Sequence, residues 1–520
     1  MNEPVLELDD IQGHVVVGFN SNHQCLVFLR FGSDISKTRA LFQILSKRVT
    51  TARSAYLFRR ARRVLLAQLQ SEPPIDLVGV AVALTYPGLA QMAPDASRIR
   101  PCAFVAGAAA RAGLLGDPSE SSDAGFVGNW LYGNEERPVD ALVVVASDDQ
   151  RSIERELGLL FGELPVTGGV LERFGASVVA IEHGADLPGD LAGHEHFGFK
   201  DGISQPGLRG RVNEKPDSFF TRRDIAATSG EIAQIQGIPG QDLIWPGEFI
   251  LGESYPEQDD RYAALSLPGQ APALPWMQNG SFLVYRRLRQ NVDGFRKFVA
   301  RVSTSLGDEP DLPKVSAALV GRWPSGAPIL RAPILDDQAL AGDRSQNNAF
   351  TYLAAYPSVT VNADSGAVMV AGAPSDSVGA VCPHFAHIRK VNPRDVSTEA
   401  GNARAHRILR RGIPYGPPFE EPDNVDRGLL FLCYQALIED GFETIQANWA
   451  NRTDQPQAGG HDVIIGQPGG GALQTISLHK ADGTMVTATL ADRLVRPTAA
   501  AYLFAPSRSA LKAFAEGMRP

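Results

Sequence analysis

The chain is poor in the features that announce many common functions. Its four cysteines, Cys25, Cys102, Cys382 and Cys433, lie far apart with no CxxC pair. That is no disulfide framework, and it suits a reducing compartment. No apolar run approaches the roughly 18 residues needed to span a bilayer. The first residues, MNEPVLELDDIQGH, are acidic, with no basic segment leading into an apolar one. They do not read as a signal peptide, so a cytoplasmic protein is expected. Phosphate-cradling loops of the GxxxxGK[ST] or GxGxxG kind are missing, and Gly469–Gly471 lacks a following lysine and reads as a turn. Neither HExxH nor a zinc-type Cys/His cluster occurs. Cations are in deficit, 49 Lys and Arg against 58 Asp and Glu, for a net charge of −9. That balance argues against nucleic acid or an anionic membrane as the main partner.

What is present is an ordinary globular composition, 44% hydrophobic and 21% charged over 520 residues, a length that suggests about three domains. Four strand–helix units recur. Cys25–Phe31 (CLVFLRF) reads as a buried strand, and the helix after it carries Leu41, Ile44, Leu45 and Val49 on one face. Ala141–Ala146 (ALVVVA) reads as a strand, Ser147 as the next helix's N-cap, and Ile153, Leu157, Leu160, Phe161 and Leu164 as its stripe. Ser281–Leu288 precedes a helix with Phe295, Phe298, Val299 and Val302. Leu429–Tyr434 precedes one with Ile438, Phe442, Ile445 and Trp449. Two units per half predict two similar α+β halves, each with helices on one sheet face and an open face to cover. Paired open faces would make one body with pockets between sheet and helices. Residues 210–280, rich in Pro, Gly and acids, read as a surface insertion. Residues 303–380 mix short helices and loops, and 459–471 reads as a loop around one short strand.

Chemistry concentrates in Val381–Arg411, which holds His384, His387 and His406 among many arginines. Histidine with arginine suits a site that binds a metal or cofactor and manages negative charge. On helical spacing His384 and His387 share a face, and spacing alone does not choose between them. His194-Glu195-His196 could offer two imidazoles, though a structural role is the commoner meaning of a lone HxH. Far upstream, Asp201 stands between glycines in FGFKDGISQP (Phe197–Pro206). By itself that is an ordinary turn aspartate; the aromatic residues before it suit the edge of a large planar ligand.

Taken together, FGFKDGISQP, CPHFAHIRKVNPR (Cys382–Arg394) and RRGIPYG (Arg410–Gly416) resemble the dye-decolorising peroxidases, in particular the larger members. DDIQGHVVVGF, SFLVYRRLRQNVDGF, YQALIEDGFETIQANWAN and RPTAAAYLFAPS extend the resemblance nearly end to end. It implies two ferredoxin-like halves in a dimeric α+β barrel-like body. The chain then divides into 1–205, an insertion or linker at 206–280, and 281–520 carrying the haem ligand. It implies one haem b per chain, and the absence of CxxCH argues that no thioether links hold it. His387 matches the proximal iron ligand, Asp201 the distal acid–base group and Arg410 the distal arginine, with Arg411 the fallback for a slipped register. Arg394 matches an arginine that pairs with a propionate. Leu429, Phe431 and Gly202 count among the residues around the cofactor. Cys382 is taken as a packed thiol rather than an axial thiolate.

These roles make chemical sense. Imidazole ligation leaves the sixth iron position open. One carboxylate can take a proton from peroxide and return it to the departing oxygen, while a guanidinium stabilises the charge that builds. The implied function is oxidation of bulky aromatic substrates, dyes and phenolics, by hydrogen peroxide in one-electron steps through a ferryl haem. Surface Trp245, Trp276, Tyr285, Tyr352, Tyr415 or Trp449 would carry the electrons. The alternative is a haem-binding or haem-delivering protein without significant turnover, which would need neither Asp201 nor Arg410.

Overall fold

The computed structural model describes residues 3–69, 76–99, 102–253, 274–307, 311–363, 366–399, 401–419, 425–469, 472–479 and 484–517. Its amino-terminal half runs β1 (His23–Phe31), α1 (Ile35–Arg48), α2 (Ala52–Leu69), β2 (Gly79–Leu84), β3 (Ala141–Ser147), α3 (Gln150–Phe161) and β4 (Ala176–Ala185). The carboxy-terminal half runs β5 (Ser281–Gln290), α4 (Val292–Leu306), α5 (His387–Val391), β6 (Leu409–Arg410), β7 (Ile413–Tyr415), β8 (Gly428–Gln435), a π-helix (Glu439–Ala450) and β9 (Val495–Ala505). Side by side, the strands lie in the order β2-β3-β1-β4 in one half and β7-β8-β5-β9 in the other, all antiparallel. The second and third strands of each half are neighbours, and the first separates the third from the fourth. Each half is therefore ferredoxin-like, as the repeated units predict.

The two sheets join edge to edge into a closed ring. Each seam is one residue pair wide, Phe504 with Leu84 and Tyr415 with Gly184. At the second seam a Cβ on Gly184 would sit 2.2 Å from Ile413 Cγ2, so only glycine allows the approach. Closure leaves no bare sheet edge between the halves. Strand alternation then makes two cores. Leu26, Phe28, Leu142, Val144, Leu283, Leu430, Leu432 and Leu503 fill the barrel interior, while Cys25, Val27, Leu29, Val143, Val145 and Val284 face outward under the helices. A fully buried Leu, Val or Phe stabilises by roughly 1.5–3 kcal/mol, so a one-residue slip of any central strand would forfeit several such terms.

Local details differ from the sequence reading. Ser147 ends β3, and Asp149 caps α3 by accepting from the Arg151 N–H. A carboxylate two residues on reaches the open helix N–H groups better than a strand hydroxyl. The segment read as a helix after β8 is π-helical, with Ile438 at its N-cap. Ile244, Phe249 and Ile250, in the stretch read as a surface insertion, are buried in the barrel-side core; residues 254–273 of it lie outside the described residues. Val463–Ile465 forms a turn rather than the expected short strand.

Candidate active site

A cavity opens on the outer face of the carboxy-terminal sheet, floored by Leu288 of β5 and by Leu429 and Phe431 of β8. The opposite wall includes α5, which is short because Pro393 follows its C-cap Asn392 and disfavours helical backbone before it. His387, the first residue of α5, lines the cavity. Its Nδ1 lies 2.7 Å from Oδ2 of the buried Asp462. That carboxylate is fixed in turn by the N–H groups of Ile464 and Ile465 on Oδ1, at 2.8 and 3.2 Å. A carboxylate on Nδ1 draws the ring proton there and leaves Nε2 as the free donor atom. Burial alone would lower the His387 pKa; the charge and hydrogen bond of Asp462 outweigh it and hold the pKa above its usual value.

Across the cavity stands Asp201, on a loop tied by its own N–H to Gly193 O (3.0 Å) and by Glu195 N–H to Phe199 O (3.0 Å). Gly198 and Gly202 take φ of +93° and +74°, values that strain any other residue. The turn lets Gly202 N–H donate to Asp201 Oδ1 at 2.6 Å. Arg410 Nη1 donates to the same oxygen at 2.6 Å and Nη2 to Ser204 O at 3.2 Å. Gln205 clamps the Arg410 backbone from both sides, donating to its carbonyl at 3.1 Å and accepting from its N–H at 3.2 Å. Burial would raise the Asp201 pKa, but the Arg410 charge and the two hydrogen bonds prevail and keep it below the ordinary carboxylate value. Asp201 Oδ2 has no protein partner among the described residues.

With this geometry in view, the chain matches the family descriptions "DyP dimeric alpha+beta barrel domain" over residues 10–163 and "Dyp-type peroxidase, C-terminal" over residues 352–459. It is 31% identical to the dye-decolorizing peroxidase of Mycena epipterygia, over 90% of this chain and 77% of that one. The chain belongs to the dye-decolorising peroxidase family. The structure of an ancestral D-type dye-decolorizing peroxidase, 30% identical, superposes with a TM-score of 0.75 and covers 98% of this chain and 99% of its own. A dye-decolorizing peroxidase solved in complex with 2,6-dimethoxyphenol is 26% identical, with a TM-score of 0.70, covering 98% of this chain and 100% of its own.

Dye-decolorising peroxidases are haem enzymes, and the cavity of this family member fits such a group. The floor is apolar, the imidazole offers a free nitrogen, and one rim is cationic. Arg322 donates to Gly326 O, Asn347 O and Asn348 Oδ1. Arg394, stacked 3.7 Å over the Phe350 ring, donates to Asn348 O, Phe350 O and Asn348 Oδ1. Among the described residues neither guanidinium has a carboxylate partner. Burial, then the neighbouring Arg394 charge, pulls the Arg322 pKa down to about 9. Two adjoining cations with no carboxylate in direct contact suit an anionic edge such as a pair of propionates.

The structure thus brings Asp201, Gly202, His387, Arg394, Arg410, Leu429 and Phe431 to one cavity. It does not bring Arg411, which follows Arg410 past the end of β6 and whose guanidinium bonds His14 O, Val15 O and Arg410 O. Nor does His384 share a helical face with His387, because α5 begins only at His387; its two nitrogens face Ala458 O and Ser377 O. His196 meets Tyr415 O at 2.9 Å, a structural use of the HxH pair. Cys382 is fully buried and its thiol is pushed up to about 12 by burial, which keeps it protonated. Of the six aromatics considered as surface relays, Trp276, Tyr285, Tyr352, Tyr415 and Trp449 are buried and Trp245 is half-buried.

Two residues at this site escaped the sequence. Asp462 lies 75 positions beyond His387, in the glycine-rich segment that reads as a loop around one short strand. Arg322 sits in the unremarked GRWPSG run. Glu195, noticed only for its histidine neighbours, also lines the cavity, and burial raises its pKa to about 7.

Proposed function

We propose that this protein is a haem peroxidase in which Asp201 and Arg410 activate hydrogen peroxide opposite His387, with dyes and phenolics as the reducing substrates. The observation that carries the reading is the Asp201–Arg410 pair facing the same cavity as the His387–Asp462 pair. Bound haem would supply an open iron position for peroxide and store the oxidising equivalents. His387 Nε2 would hold the iron, with Asp462 fixing the tautomer and ring orientation. Arg394 and Arg322 would hold the propionates, while Gly202, Leu429 and Phe431 shape the peroxide side. Non-covalent haem b is the form that the absence of CxxCH favours.

Asp201 Oδ1 already accepts two bonds, so Oδ2 is the oxygen free to take the peroxide proton and hand it to the departing oxygen. Arg410 has two tasks in this reading. It keeps Asp201 ionised, and it aims donors at the negative charge that grows as the O–O bond breaks. The division into 1–205, 206–280 and 281–520 also belongs to this proposal, with the two halves supplying Asp201 and His387 respectively. The test is haem-loaded protein mixed with hydrogen peroxide and 2,6-dimethoxyphenol. Peroxide-dependent oxidation, lost in Asp201→Asn with the Soret band retained, is expected. A haem-loaded wild type that oxidises nothing would leave the haem-carrier reading.

A further inference from the structure

The total charge of −9 conceals a segregated chain. Residues 35–69 contain Lys37, Arg39, Lys47, Arg48, Arg53, Arg59, Arg60, Arg62 and Arg63 and no Asp or Glu, so the rest of the chain is twice as acidic as the total suggests. Five of these arginines lie on α2 (ARSAYLFRRARRVLLAQL), which contributes no residue to the cavity. Only Ala52 and Ala55 of its eighteen residues are buried, both in its first turn. Tyr56 adds a ring stack with Phe220 at 5.5 Å. From Leu57 onward no residue of the helix is buried: Phe58, Arg62 and Leu65 are half-buried along the face against the protein and the rest are exposed, over about 20 Å at 1.5 Å per residue.

That free length is two-faced. Leu57, Ala61, Val64, Leu65 and Gln68 follow an i, i+4, i+7, i+8, i+11 stripe. On that stripe Leu57 is 55% exposed and Val64 50%, an arrangement of aliphatics that costs free energy in water unless something covers it. Arginines occupy the other arc. Arg53 pairs with Asp9 and Arg62 with Asp148, but Arg60 and Arg63, one turn apart, have no partner among the described residues. We propose that α2 is a docking element for an anionic lipid surface, with Leu57 and Val64 entering the headgroup boundary and Arg60 and Arg63 engaging lipid phosphates.

Charge complementarity and the exposed aliphatic stripe together select this occupant. A nucleic acid would use the arginines but leave the leucines in water. A second copy pairing α2 with α2 would set arginine against arginine. A bilayer satisfies both faces, since aliphatic side chains sink to the acyl boundary while guanidiniums reach back to the phosphates. The acidic remainder of the molecule is repelled by the same surface, which would orient the protein with α2 downward.

The test floats haem-loaded full-length protein with vesicles of phosphatidylcholine alone or of phosphatidylcholine rich in phosphatidylglycerol, at low and high salt. Binding only to the anionic vesicles, weakening with salt, is expected. Arg60→Glu with Arg63→Glu should lower the partition at least about tenfold, and Leu57→Ser with Val64→Ser should lower it too although every charge is kept. Soret absorbance and peroxidase turnover in solution should stay at wild-type values in both variants, because all four residues lie outside the cavity. No binding to either vesicle overturns the proposal, as does binding that both variants retain. A dimer in solution that Leu57→Ser dissociates, without vesicle binding, would instead assign the stripe to a second copy.

Discussion

Replacing Arg410 with leucine separates the two tasks assigned to it. In the wild type Nη1 lies 2.6 Å from Asp201 Oδ1. Two unit charges about 4 Å apart attract by about 4 kcal/mol at an effective dielectric of 20. The side chains remain 29% and 38% accessible, so screening reduces this to roughly 1–2 kcal/mol. Removing the guanidinium takes away that charge and one hydrogen bond but leaves the Gly202 N–H on Oδ1. A carboxylate held below its usual pKa stays a competent base at acidic pH, and one released from its cation fails at higher pH. Arg410→Leu should therefore slow the peroxide reaction by about 10²–10³ at neutral pH, from loss of a donor aimed at developing charge. The acid limb of its pH profile should also move to higher pH, because the carboxylate loses the cation that holds its pKa down. Stopped-flow Soret absorbance against pH, for wild type, Arg410→Leu and Asp201→Asn, reads both effects. A slower variant with an unmoved acid limb would mean that Asp201 is not the titrating base. A larger loss in Arg411→Leu would reverse the assignment between neighbouring arginines.

Three further outcomes follow from the same geometry. His387→Ala should lose most of its haem on gel filtration while His384→Ala keeps it, since only His387 faces the cavity; the opposite pattern would exchange their roles. Asp462→Asn removes the anion that makes the imidazole electron-rich, so the iron(III)/iron(II) potential should rise in a spectroelectrochemical titration, and an unchanged potential would reduce Asp462 to a packing residue. Asp117→Asn leaves Arg286, whose Nη2 lies 2.6 Å from both Asp117 oxygens with side chains 3% and 1% accessible, as a buried charge without its carboxylate. Urea unfolding should show a loss of about 3–5 kcal/mol, and a loss below about 1 kcal/mol would mean that the site readily admits water or rearranges.

How much of this was legible in the chain depends on the range of the interaction involved. The strand–helix alternation and its repetition could be read because strand and helix periods are local properties of neighbouring residues. The motifs around Asp201, His387 and Arg410 could be read as a resemblance because each is contiguous in sequence. Partner choice was another matter. Whether Arg410 or Arg411 faces Asp201 depends on which side of the sheet a side chain leaves, and only the pairing of Leu409 and Arg410 with Tyr434 and Cys433 sets that register. On spacing alone His384 and His387 were equivalent, and only the start of the helix at His387 separates their surroundings. Asp462 has no local signature at all, because its role comes from a backbone turn that delivers a carboxylate to an imidazole distant in sequence. The exposed arc of α2 was hidden for a related reason: its alternation of Arg and Leu fits a packed helix equally well until tertiary structure buries only its first turn. Local sequence sets the elements and their faces; the long-range packing that closes the barrel decides which of those faces meet.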